Sequence, residues 1–212
     1  MKNTPPSKLS SYGKNLLLSA LAGLTFLFAG CSINMQHTAL LAPPTTRSGT
    51  VNLEAAAKGT TSCPEGAGGR VGWGRITLFG IPCVPIHVDG DGNAALALQI
   101  QDALAAAGYQ PQLIDPGSTA SGKVLNCEVE KFRFSNYTYF FPIVPTWGGV
   151  DLKLHLVGAD HTVLWTHDYQ GGGSTLNFFN GYTSSCKSAM TQVLNKMTRD
   201  FAGDEFYKAL NY

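Results

Sequence analysis

Val150-Asp151-Leu152-Lys153-Leu154-His155-Leu156-Val157-Gly158-Ala159-Asp160-His161-Thr162-Val163-Leu164-Trp165-Thr166-His167-Asp168-Tyr169 reads as two strands and the turn between them. Val150, Leu152, Leu154 and Leu156 share one face, and Asp151, Lys153 and His155 share the other, the period of two that marks a half-buried strand. A tight turn at Ala159-Asp160 is expected to set Val163 beside Leu156 and Trp165 beside Leu154, so that both apolar rows meet one core. A hairpin with one wet face and one dry face needs an apolar layer against the dry one.

That layer is supplied on both sides of the hairpin in sequence. Downstream, after a glycine loop expected at Gly171–Gly173, Cys186, Met190, Val193, Leu194, Met197 and Phe201 repeat at helical spacing. Upstream, Leu96, Ile100, Ala103, Leu104 and Ala107 do the same, with Asn93 as the expected cap and Gly108 as the stop. Between the helices, Tyr109–Ile114 is strand-like, and Val124–Phe134 alternates until Phe132 and Phe134 break parity. The break predicts a bulge near Glu130 or cover on the strand's second face. Arg75–Phe79 and Ile86–Val88 are β-like, and the prolines of Ile81-Pro82-Cys83-Val84-Pro85 confine that stretch to an edge. Val51–Ala57 is either a strand or a helical turn. Lys58–Gly74 is too rich in glycine to hold regular structure unaided. The sum is an α+β fold, a mostly antiparallel sheet with two helices on one face, in a single domain over 51–212.

The start of the chain has a different character. Lys2, Lys8 and Lys14 precede an apolar run that closes on Ala29-Gly30-Cys31. A basic region, an apolar region and a small pair make a secretory signal over 1–30. A retained anchor over Leu16–Gly30 would fall short of the ~20 residues a spanning helix needs. The Cys after the small pair resembles the lipobox of bacterial lipoproteins. That resemblance implies cleavage before Cys31 and acyl chains on it, and Ser32 in the next position implies sorting to the outer membrane, facing the periplasm. Residues 31–50, with Pro43, Pro44 and several Ser and Thr, then read as a flexible tether.

Cleavage removes three lysines and no acid, turning the formal charge of +1 into about −2. No basic stripe is present, which argues against nucleic acid as a partner. Four cysteines remain after Cys31: Cys63, Cys83, Cys127 and Cys186. In an exported chain they read as a disulfide framework with three possible pairings. Facing alone favours Cys127 with Cys186, helix to sheet, and Cys63 with Cys83. The wide spacings lack a Cys-x-x-Cys pair and do not suggest zinc.

Motifs for chemistry are sparse. Asp89-x-Asp91-x-Asn93 opens like a calcium loop, but Ala94 and Ile100 stand where the turn glycine and the bidentate Glu belong, so no metal is expected. His155, His161 and His167 sit on one hairpin yet differ in parity, and read as solvated side chains. There is no Gly-x-Ser-x-Gly elbow and no phosphate-binding Gly-Lys-Ser/Thr loop. The sequence predicts a non-enzymatic protein without cofactor. Its most informative oddity is a near-repeat, Ile81-Pro82-Cys83-Val84-Pro85 and Phe141-Pro142-Ile143-Val144-Pro145, the second wrapped by Tyr139 and Trp147. Pro82, Pro85, Tyr139, Phe141, Pro142, Pro145 and Trp147 are expected to form one apolar ridge, either a docking surface for an envelope protein or lipid or a cover for the core.

Over Arg75–Phe201 the element order resembles small envelope lipoproteins of the YajG-like type and the accessory lipoprotein of lipopolysaccharide assembly. The resemblance implies an envelope binding or assembly accessory held to its membrane by acyl chains. The alternatives are a carrier with a cavity between helices and sheet, and a hydrolase built on the histidine hairpin.

Overall fold

The computed structural model describes residues 33–54, 58–59, 73–78, 81–88, 91–116, 122–136, 143–178 and 181–212, with backbone alone at 58–59, 73–78, 81–87, 136 and 178. The elements run β1 (Thr50–Glu54), β2 (Lys58–Gly59), β3 (Trp73–Leu78), β4 (Ile81–His87), α1 (Gly92–Ala106), β5 (Gln110–Ile114), β6 (Val124–Asn136), β7 (Ile143–Val157), β8 (Val163–Phe178), α2 (Tyr182–Phe201) and α3 (Asp204–Asn211). The fold is α+β, as the patterning predicts.

β6 is the spine of the sheet. Along one edge it pairs antiparallel with β7, which pairs antiparallel with β8. Along the other edge it meets β1, β2 and β3 in succession, all parallel to it. β5 flanks β1, and β4 flanks β3 as an edge strand, the place its prolines demand. The β6–β7 register slips between Val129 and Lys131. This bulge at Glu130 returns Phe132 and Phe134 to the buried face shared by Leu125, Cys127 and Val129.

The β7–β8 hairpin keeps the predicted facing at Trp165 in a different register and departs from it at Val163, which opposes Val157 and is exposed. Leu156 opposes Trp165 and Leu154 opposes His167, because the connection is wider than a two-residue turn. Gly158 N–H donates to the Thr162 carbonyl (2.8 Å), and His161 takes a left-handed φ of 64°. Thr162 donates through its hydroxyl and its N–H to the Asp160 carboxylate, which holds that carboxyl below its ordinary value. A slip of two residues preserves the face of Trp165, whereas the register shift between Leu156 and Val157 turns Val163 out of the core.

Gly171–Gly173, expected as a loop, lies inside β8. A Cβ on Gly173 would stand 1.9 Å from the Ser185 carbonyl, and one on Gly171 2.3 Å from that of Ala189. The glycines form a groove that lets the α2 backbone lie directly on the sheet. Above it, Cys186, Met190, Val193, Leu194, Met197 and Phe201 are all buried. The free edge of β8 is capped by the same helix. The Gln192 amide donates to the Gly172 carbonyl (2.7 Å) and accepts from its N–H (3.3 Å), and Lys196 Nζ donates to the Gln170 carbonyl (2.7 Å). An edge covered in this way is a poor template for a further strand.

Three other features depart from expectation. Asp91, not Asn93, caps α1, its carboxylate accepting from the N–H groups of Asn93 (2.9 Å) and Ala94 (3.3 Å). A third helix, α3, follows the break at Gly203 and buries Phe206 against Tyr109, Trp165 and Phe201 at centroid distances of 5.6, 5.0 and 4.8 Å.

The third departure concerns the stretch read as a flexible tether. From residue 33 onward it is a strap laid along α2. Ile33 is fully buried and bridges Val88. The N–H groups of Asn34, Thr38 and Leu41 donate in turn to Thr183 Oγ1 (3.4 Å), Thr191 Oγ1 (3.0 Å) and Asn195 Oδ1 (2.8 Å). Arg47 donates to the Ala202 carbonyl (3.0 Å), pairs with Asp204 and lies over the Tyr207 ring. Gly108, at φ 99°, passes so close to the Arg47 backbone that a Cβ would stand 2.2 Å from its carbonyl.

Candidate functional site

The helices cover one face of the sheet, and the other face is the candidate surface. On β7, Val144, Thr146, Val150, Leu152, Leu154 and Leu156 point to the helices, while Ile143, Pro145 and Trp147 point away. Pro145 opposes Leu176 on β8, with Trp147 opposite Ser174 one step along. Ile143, Trp147 and Leu176 are 47, 48 and 70% exposed. Direct neighbours across strands stand about 5 Å apart and diagonal ones 7–8 Å, so with Pro145 these side chains make one apolar patch.

Further along, the same face turns charged. Lys131 faces Asp151 (3.6 Å), Lys153 reaches Asp168 (3.6 Å) and Glu130 (3.9 Å), and His155 lies 3.7 Å from Glu128 and 3.0 Å from the Thr166 hydroxyl. Such exposed pairs each contribute about 0–1 kcal/mol, so they shape the surface more than they hold the fold.

Among the described residues, the two proline segments do not adjoin. Pro85, Arg75, Ser135 and Trp147 occupy one cross-strand row, but β3 and β6 stand between Pro85 and Trp147. Three strand spacings put their backbones roughly 14 Å apart. Pro82 pairs with Thr77 further along β4, and the β3–β4 register shift skips Cys83. Tyr139, Phe141 and Pro142 lie outside the described residues. Pro145 and Trp147 are therefore joined by Ile143 and Leu176 rather than by β4. Leu176 escapes a sequence reading that ends β8 at a glycine loop; its signal is the alternation of Gly172, Ser174 and Leu176.

The expected Cys127–Cys186 bridge is absent, and both are buried free thiols. Cys127 sits opposite Leu154, whereas Cys186 follows Ser185, whose carbonyl touches Gly173 opposite Gly148. Six residues of strand separate the two levels, roughly 20 Å, against the ~7 Å limit for a disulfide. Facing the same core did not place them at the same end of it. Burial pushes each thiol up to about 12. Cys63 lies outside the described residues, and Cys83 is described by its backbone alone.

The hairpin histidines do not converge. His155 is on the outer face, His161 is in the turn, and His167 is on the helix side, 3.3 Å from Asp200 and stacked on Trp165. Beside it Tyr169 is buried, and burial first, then the Asp200 charge, pushes its phenol well above the ordinary range. Among the described residues no three His, Cys, Asp or Glu side chains gather as a metal site. The layer between helices and sheet is occupied by Phe132, Phe134, Tyr169, Tyr182, Met190 and Met197. Among the described residues no helix is long and apolar enough to cross a membrane.

No known family profile matches the chain, and no curated protein matches its sequence. Solved structures do share likeness with it. A protein of Xanthomonas campestris from a family of unknown function is 10% identical, with 81% of this chain and 90% of that one covered and a TM-score of 0.45. A neuraminyllactose-binding hemagglutinin homolog from Helicobacter pylori is 11% identical, with 82% and 96% covered and a TM-score of 0.42. A protein from Caulobacter crescentus described as a lipoprotein is 14% identical, with 66% and 92% covered and a TM-score of 0.34.

Proposed function

We propose that this chain is a lipid-anchored lipoprotein of the outer membrane, facing the periplasm, that acts without catalysis as an envelope binding or assembly accessory. Cys31 after Ala29-Gly30 is the observation that carries the reading, since it ends a basic and then apolar leader on the residue an acylating system requires. Two or more acyl chains, at about 0.8 kcal/mol per buried methylene, hold a protein stably at a membrane.

The outer sheet face supports the accessory part. It is broad, left bare by the helices, apolar at one end and laced with paired charges along the rest. The carrier alternative draws no support from the space between helices and sheet, which large side chains occupy.

Mass analysis of the mature N-terminus, with envelope fractionation of unaltered protein and Cys31→Ser, tests the anchor. An acylated Cys31 in the outer-membrane fraction, lost in the variant, is expected. Crosslinking in envelopes, with Lys153→Glu set against unaltered protein, tests the accessory role. A defined partner lost in the variant supports it, and an identical pattern in both counts against the charged stretch as the working surface.

A further inference from the structure

Where the strap begins fixes how the domain meets its membrane. Cys31 is two residues from Ile33, and two residues of chain span at most about 7 Å whatever their conformation. Ile33 is fully buried, and Asn34 is bonded to Thr183 in the first turn of α2. The strap climbs beside α2 from Thr183 to Asn195, so traced backward it leads to the N-terminal end of that helix. An anchor on Cys31 has almost no slack.

That end of α2 sits on the strand ends that carry the apolar patch. Ser185 Oγ donates to the Thr146 carbonyl (3.2 Å), and a Cβ on Gly181 would stand 2.4 Å from Thr175 and 2.9 Å from Thr146. On the opposite face of the same two strand ends stand Ile143, Pro145, Trp147 and Leu176. The charged stretch lies away from it: Lys153 is six strand residues from Trp147, roughly 20 Å. Of the other exposed large apolar side chains, Leu41, Leu98 and Leu113 belong to other elements, and Val163 and Leu164 stand at the far end of β8, beside the hairpin turn.

We propose that the end of the domain carrying Ile143, Pro145, Trp147 and Leu176 lies against the bilayer that holds Cys31, with Trp147 at the boundary of headgroups and acyl chains. The inference rests on the lipidation of Cys31. A tether this short holds the patch next to lipid at high effective concentration. Tryptophan favours that boundary, where its ring is buried and its N–H stays wet. Isoleucine and leucine beside it add apolar area without a charge to desolvate. The lipoprotein then has a fixed tilt, and the charged stretch of its outer face is presented to the periplasm.

The test uses the full chain, acylated in bacteria and reconstituted in phosphatidylethanolamine–phosphatidylglycerol vesicles with or without bromine on the acyl chains. Trp73→Phe and Trp165→Phe together leave Trp147 as the reporter. Should that pair disturb folding, the difference between unaltered protein and Trp147→Phe gives the same signal. Mass analysis of the N-terminus is run on the same sample. Acylated protein whose Trp147 emission shifts to the blue and is lost with brominated lipid is the expected result. Acylated protein whose Trp147 emission is indifferent to bromine overturns the apposition, leaves the anchor standing and frees the patch for a protein partner. An N-terminus without acyl chains overturns both.

Discussion

The carbonyl oxygen of Ser185 occupies the position where Gly173 would carry a Cβ, 1.9 Å away. Helix and strand touch there through backbone alone. Gly173→Ala must therefore lift α2 from the sheet, and a destabilisation of about 2–3 kcal/mol is expected, with Gly171→Ala close behind it. Gly172→Ala is the control: it points to the other face, where the nearest atom is 3.9 Å away, and it should stay within about 0.5 kcal/mol of the parent. Urea midpoints of the three variants check the order.

Gln192→Ala removes both bonds to the Gly172 backbone. A loss of about 1–2 kcal/mol is expected. The larger consequence is an uncapped length of edge, so light scattering at raised concentration should show self-association that the parent lacks.

Cys127 and Cys186 should resist an aqueous thiol reagent at pH 8 in the folded protein and react in full once it is unfolded. Burial raises both thiols to about 12 from an ordinary 9.0. The folded state then holds protons that the unfolded state releases, so their contribution is complete below about pH 8.5 and is lost as pH climbs toward 12. Each group steepens the fall by up to ~1.4 kcal/mol per pH unit in that window. A Cys127→Ala, Cys186→Ala double variant should show a flatter dependence of urea midpoint on pH between 8 and 11 than the parent. Recovery of a peptide linking the two cysteines would contradict the structure.

Phe206→Ala leaves a hole among Tyr109, Trp165 and Phe201. A cost of about 3–5 kcal/mol is expected. Because α3 is short and Phe206 is its one buried residue, fast amide exchange over 204–211 should accompany the loss.

What the sequence revealed follows from periodicity. The alternation in β6 and β7, the parity break that became the bulge at Glu130, and the α2 stripe from Cys186 to Phe201 are all written in side-chain type. The strap is not, because its bonds go to Thr183, Thr191 and Asn195 on another element and leave no pattern in its own residues. Gly171–Gly173 signals freedom to a reader of one chain, whereas its role is to admit a helix backbone. Helix α3 has a single buried side chain and so no stripe to detect. At the candidate surface, Pro145 and Trp147 are legible as exposed apolar residues at a strand end. Their partner Leu176 becomes visible only once β8 is known to continue past the glycines, and the separation of Pro85 from Trp147 requires knowing that β3 and β6 lie between them.

The strap bonds also set an order of events. Asn34 and Thr183 are 149 residues apart, and Arg47 and Asp204 are 157. On the proposed export route the strap would emerge first and its binding groove last. Closing a loop of that size is slow and is compensated only after α2 has docked on the glycines of β8. On that proposed route the first part of the chain to emerge would be the last to find its place, and the proposed acylation at Cys31 would meet an unfastened strap.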